Sequence, residues 1–179
     1  MQKLLFLLLI IGLFLGKAPA ASLNDAFNAA QPGAGYDRLV ILEPGQTYTC
    51  TAPIVLFNEK VAIWGNGAII DFKDPIYGNS HSIIAVGKGS LDADRCIFIN
   101  GSAALNLSDE VRSTVTNCVF YRNTYGIQHF STMAPVRIFN TIFVSNGNAV
   151  YTQEENLTYM AYNVAYKSKD YHFVAGCGS

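Results

Sequence analysis

The chain is poor in charge. Only 14% of its 179 residues are Asp, Glu, Lys or Arg, and the net charge is −1. A nucleic-acid surface needs a basic stripe, and none is present. There is no polybasic segment of the kind that holds a protein to an anionic membrane. The four cysteines, Cys50, Cys96, Cys118 and Cys177, show no C-x-x-C zinc spacing. The apolar run at residues 4–15 is too short to span a bilayer. No linker, charge block or low-complexity tract divides the chain.

That apolar run has its own meaning. Lys3 precedes it, and Ala18-Pro19-Ala20 follows as an A-x-A cleavage site. Residues 1–20 read as a secretory signal, so the mature chain is expected to be secreted, extracellular or periplasmic, without a stable membrane anchor. Residues 21–179 suffice for one domain with a continuous core.

Ser22 is an N-cap candidate, with Asp25 in the first turn. Leu23, Ala26, Phe27 and Ala30 share one helical face, and Pro32-Gly33 ends it. A short helix over 22–31 is expected to cap the first layer of the fold.

The rest of the chain is one pattern written repeatedly. Phe98, Phe120, Phe143 and Tyr166 recur at steps of 22, 23 and 23 residues. Three residues before each stand Arg95, Asn117, Asn140 and Asn163; seven after each come Leu105, Ile127, Val150 and Phe173. A fixed period of this length marks a solenoid. Within each repeat the apolar residues alternate, which means strands. One inward row is Leu91, Ser113, Val136 and Tyr159, and the next is Ala93, Val115, Ile138 and Ala161. Earlier coils are read at 39–42, 54–57, 61–64, 68–72 and 82–86, with a protruding loop at 74–81. Asn at a sharp corner tolerates positive φ, and stacked Asn side chains can bond from coil to coil. Asn123 and Asn146 form a second partial row. Cys96 and Cys118 share a row with Thr141 and Val164, either as small inward side chains or as a disulfide.

The phrase Asn-x-x-Phe-x-x-Asn-x-x-Gly-Ile at 117–127, its looser copy at 140–150, and the stretches 42–48 and 61–71 resemble the right-handed parallel β-helix of the pectate-lyase superfamily. The resemblance covers nearly all of the mature chain. It implies an all-β solenoid with coils of 22–23 residues acting on extracellular polysaccharide, an acidic one included. It also implies a lyase-type base and a calcium-bound carboxylate cluster. Arg137 and Arg112 are the candidate bases, and Asp92 and Asp94 the assisting acids. The Asn-Thr-Asp, Asp-Asp, Gly-His-Gly and Arg-x-Lys motifs of the related hydrolases do not occur. A non-catalytic surface or adhesin-type module therefore stands beside the enzyme reading.

If the rows above face inward, their neighbours face out. Asp92, Thr114, Arg137 and Met160 form one outward set; Asp94, Thr116, Phe139 and Tyr162 form a second. Asn106, Gln128 and Tyr151 lie on another strand. Phe139, Tyr162, Gln128, Tyr151 and Asn106 are the candidate sugar-binding residues, because rings offer apolar faces and amides fix hydroxyls. Ile97, Val119 and Ile142, with Ile99, Tyr121 and Val144, form an apolar outward set. The loop 74–81 or the N-terminal segment is expected to cover it. His129 falls in the inward row Leu107, His129, Thr152 and reads as structural. Only six residues follow Phe173. The last coil is therefore expected to continue into further coils or to lie against another subunit.

Overall fold

A computed structural model describes residues 20–73, 80–131, 133–153 and 157–168. Most of the expected signal at 1–20 and of the expected loop at 74–81, together with Cys177, Phe173 and the expected C-terminal ending, lie outside the described residues. The fold is an all-β parallel solenoid of about six turns with one helix.

Three sheets run along the axis. The first holds β1 (Ala21–Ser22), β4 (Thr47–Thr49), β7 (Ile69–Asp71), β10 (Ile97–Ile99), β13 (Val119–Tyr121), β16 (Ile142–Val144) and β19 (Val164–Tyr166). The second holds β2 (Gln31–Gly33), β3 (Tyr36–Ile41), β6 (Lys60–Trp64), β9 (Lys88–Asp94), β12 (Glu110–Thr116), β15 (Val136–Phe139) and β18 (Thr158–Ala161). The third holds β5 (Ile54–Phe57), β8 (Ile83–Val86), β11 (Ala103–Leu107), β14 (Tyr125–His129) and β17 (Asn148–Thr152). Among the named strands every ladder is parallel except the β2–β3 hairpin.

The helix α1 (Leu23–Ala29) is shorter than the expected 22–31. Ser22 Oγ accepts the Asp25 N–H at 3.1 Å, as an N-cap does. Leu23 and Phe27 are buried and join the core at the first coil.

Inside, like lies above like. Phe72, Phe98, Phe120 and Phe143 stack, with centroids 6.1, 4.9 and 5.0 Å apart. All four are fully buried, which bears out the aromatic row through Phe143. The coil-to-coil amide ladder forms at Asn123 and Asn146, not at the first Asn row. Asn123 Nδ2 donates to Asn146 Oδ1 at 3.0 Å and to Phe98 O at 3.2 Å, while its Oδ1 accepts the Gly101 N–H at 2.7 Å. His129 is buried between Thr152 Oγ1 at 3.2 Å and Ala134 O at 3.1 Å, and burial lowers its pKa.

The corners explain the first Asn row. Arg95, Asn117, Asn140 and Tyr162 have φ of 52, 54, 49 and 58°. Just after this corner, Cys96, Cys118 and Thr141 donate to the carbonyls two residues back, at 3.5, 3.1 and 2.9 Å. The row is thus a set of short donors that satisfy corner carbonyls. Cys96 and Cys118 are buried free thiols, not a disulfide. A hydrogen bond with Cys118 and then burial push the Cys96 thiol well above its ordinary value.

The last coil departs from the sequence expectation by one residue. Val136 pairs with Thr158 and Arg137 with Tyr159, so Thr158 is buried and Tyr159 faces out. Ile138 pairs with Met160, which packs on the core instead of facing solvent; Ala161 takes the outward place beside Phe139. Phe143 pairs with Ala165, so Tyr166 is exposed and does not extend the stack. Tyr162 holds the corner, and Asn163 sits one place later, accepting the Thr141 N–H at 2.9 Å. The physical reason is coil length: this turn has one residue fewer between its corner and the one before it.

Candidate functional site

The outer face of the second sheet carries a groove of about 260 Å³. Tyr36, Ala62, Trp64, Asp92, Asp94, Thr114 and Thr116 line it. Val61 and Ile63 are buried on β6, and the period of two turns Trp64 outward, where it is exposed. On β9, Leu91 and Ala93 face in, so Asp92 and Asp94 face out as expected. Ala62 is small, and the Tyr36 side chain from the β2–β3 hairpin passes over its strand to reach Asp92. The Tyr36 hydroxyl donates to Asp92 Oδ2 at 2.7 Å.

Asp92 also sits at a gap in the ladder. The β9–β12 register is interrupted at Leu91 and Asp92. There the Thr114 N–H donates to Asp92 Oδ1 at 2.6 Å, and Ser113 Oγ donates to Leu91 O. A backbone amide that would ordinarily bond the neighbouring strand thus fixes a side-chain carboxylate in the groove.

Asp94 collects three donors. Oδ1 accepts Thr116 Oγ1 and Asn117 Nδ2, both at 2.9 Å, and Oδ2 accepts Arg95 Nε at 2.7 Å. Partial burial alone would raise its pKa. The hydrogen bonds from Asn117, Thr116 and Arg95, with the Arg95 charge, outweigh that and hold it below the usual value. An ionised carboxylate offers about four lone-pair positions. Asp92 and Asp94 therefore keep acceptor capacity turned to the groove.

The expected bases lie on the same face but outside this lining. Arg112 is exposed on β12 and shares no hydrogen bond with Asp92 or Asp94 among the described residues. Arg137 is one strand beyond Thr114, with its guanidinium 5.7 Å from the Tyr159 ring centroid. Phe139 is half-buried next to Thr116. Tyr162 is on the corner rather than on the sheet. Asn106, Gln128 and Tyr151 form one row, but on the third sheet, with Tyr151 edge-on to Tyr125 and Phe130 at 5.9 and 5.7 Å. The expected sugar-binding set is therefore divided between two faces. Sequence reasoning passed over Tyr36 and Trp64. The inward phase of Val61 and Ile63 was the signal for Trp64; Tyr36 had none, since its reach depends on the hairpin.

Calcium fits poorly here. Among the described residues no group of three or more His, Cys, Asp or Glu converges. The two groove carboxylates are already held by five protein donors, whereas calcium takes six or more oxygens.

Among the described residues of the N-terminal segment, none is placed over the apolar outward set on the first sheet, and most of the expected covering loop at 74–81 lies outside the described residues. Ala21–Ser22 pairs edge to edge with β4 instead. Ile142 stays exposed, as do Val164 and Tyr166 in the same rows. No described helix is long and apolar enough to cross a membrane.

The class that fold and groove define is a parallel β-solenoid with a polar, aromatic-walled cleft on one flank. No family model matches the chain, and neither a curated protein nor a solved structure matches it.

Proposed function

We propose that this is a secreted saccharide-binding β-solenoid that holds its ligand in the groove beside Trp64. The observation that carries the reading is the pairing of an exposed indole with Asp92, Asp94, Thr114 and Thr116 in one cleft. A sugar presents an apolar ring face and a rim of hydroxyls. Trp64 suits the first, and fixed acceptors suit the second. The likeness to the pectate-lyase superfamily supports a carbohydrate ligand and an extracellular setting.

Binding is favoured over cleavage. A glycosidase acid must hold a proton near neutral pH, which requires a raised pKa. Asp94 is shifted the other way. A lyase base must reach the cleft, and neither Arg112 nor Arg137 lines it. The test is a glycan-array screen of the purified protein, followed by titration of any hit against Trp64→Ala and Asp94→Asn. Both variants are expected to lose affinity at least tenfold, Trp64→Ala without change in the thermal midpoint. Unchanged affinity in both would move the site elsewhere. Release of unsaturated uronide from any acidic polysaccharide would replace binding by lyase activity.

A further inference from the structure

Charge is divided along the solenoid axis. Among the described residues from Val111 onward the charged side chains are Arg112, Arg122, Arg137 and Lys167, and none is Asp or Glu. Glu154, Glu155 and Asp170 belong to this half of the sequence and lie outside the described residues. Among the described residues none of the four cations enters an ion pair, whereas Arg38, Lys88 and Arg95, in earlier coils, each pair with a carboxylate.

Two of these cations repeat. Arg122 and Lys167 occupy the same corner, between the first and third sheets, two coils apart, with φ of 56 and 54°. Ser145 holds that corner in the coil between them, at 54°. Each cation follows an outward tyrosine and lies over its ring: Arg122 Cζ is 4.8 Å from the Tyr121 centroid and Lys167 Nζ is 5.3 Å from that of Tyr166. The coil rise of about 4.8 Å puts the two pairs about 10 Å apart. The rings restrict the long cationic side chains, so less freedom is lost when an anion binds. Between the pairs runs the apolar surface of Val144, flanked by Ile142 and Val164.

We propose that this corner is a second binding site, for a linear anionic polysaccharide, separate from the Trp64 groove. Its ligand carries a carboxylate or sulfate at least every second sugar. An extended disaccharide spans about the distance between the two cations, and the sugar between its anions meets Val144. Four cations are too few for a nucleic-acid stripe, and the apolar surface between the pairs has no use against a phosphodiester backbone.

The experiment is affinity electrophoresis and calorimetry with hyaluronate, uncharged hydroxyethyl cellulose and a single-stranded oligonucleotide. The purified protein is compared with Arg122→Asn plus Lys167→Asn, with Arg122→Lys, and with Lys88→Gln. Asn accepts the corner conformation, so the double variant is expected to fold. Hyaluronate should bind with an affinity that falls as salt rises. The double variant should lose at least tenfold, Arg122→Lys should retain most of the affinity, and Lys88→Gln, which removes an exposed cation of an earlier coil, should match the parent. Equal binding by the double variant overturns the assignment. So does equal binding of hydroxyethyl cellulose or of the oligonucleotide. An equal loss through Lys88→Gln overturns it as well, since any exposed cation would then serve.

Discussion

Tyr36 and Asp92 are 56 residues apart in the chain and 2.7 Å apart in space, the hydroxyl of one donating to the carboxylate of the other. That contact ties the N-terminal hairpin to a strand two places away. It also sets a pH limit. The hydrogen bond to Asp92, then burial and the Asp92 charge, push the Tyr36 phenol from 10.0 up to about 12. A group with a raised folded pKa contributes stability that is whole below its unfolded value and is lost as pH climbs through the folded one. Unfolding midpoints in urea should therefore fall between pH 10 and about 12. Tyr36→Phe should flatten part of that fall and cost about 1–2 kcal/mol at pH 7. An identical alkaline limb in the variant would show that Asp92 does not hold the phenol in solution.

Phe120 lies in the middle of the stack, between rings at 4.9 and 5.0 Å. Replacing it by Ala removes a ring that neighbouring coils cannot move to fill. Phe120→Ala should cost about 3–5 kcal/mol in chemical denaturation. Phe120→Leu should cost markedly less, because the volume is partly kept.

Asn123 makes four buried hydrogen bonds: its Oδ1 accepts the Gly101 N–H, its Nδ2 donates to Phe98 O and to Asn146 Oδ1, and its own N–H donates to Asn146 Oδ1. Asn123→Ala strands the Gly101 N–H in the core and removes the second donor to Phe98 O. The expected loss is about 3 kcal/mol or more, read by thermal or urea unfolding. Asn123→Asp should fare no better, since a carboxylate cannot donate to Phe98 O.

Tyr162 is the misfit of its corner. Its φ of 58° matches Asn117 and Asn140 two and one coils earlier. A bulky residue there bears a steric cost that Asn largely avoids. Tyr162→Asn should raise the stability by about 1 kcal/mol. A lower midpoint would mean that the exposed ring makes a contact worth more than the relief.

The same residue shows what the sequence could and could not disclose. Phe98, Phe120 and Phe143 were legible because large apolar residues at a steady step admit one phase only. His129 was legible as structural because its row neighbours, Leu107 and Thr152, are inward. The last coil was not, because two alignments competed. Asn163 imitates the corner consensus and Tyr166 the aromatic row, yet the corner fell on Tyr162. Strand alternation decides such a case only when apolar and polar residues differ sharply, and Thr158-Tyr159-Met160-Ala161 does not separate them. Asp92 and Asp94 were placed correctly on the outer face. Their engagement was hidden, because it depends on Tyr36 and on a local break in the β9–β12 ladder.

Ala165 stands where the next ring of the phenylalanine column would be. A methyl group there ends the run of rings stacked one per coil from Phe72 to Phe143. In a solenoid each layer is secured by its two neighbours and by little else. The column of rings therefore secures the middle coils more firmly than the last described one. Backbone amides of β18 and β19 should exchange with solvent through small local openings, while those of β10 and β13 should wait for global unfolding.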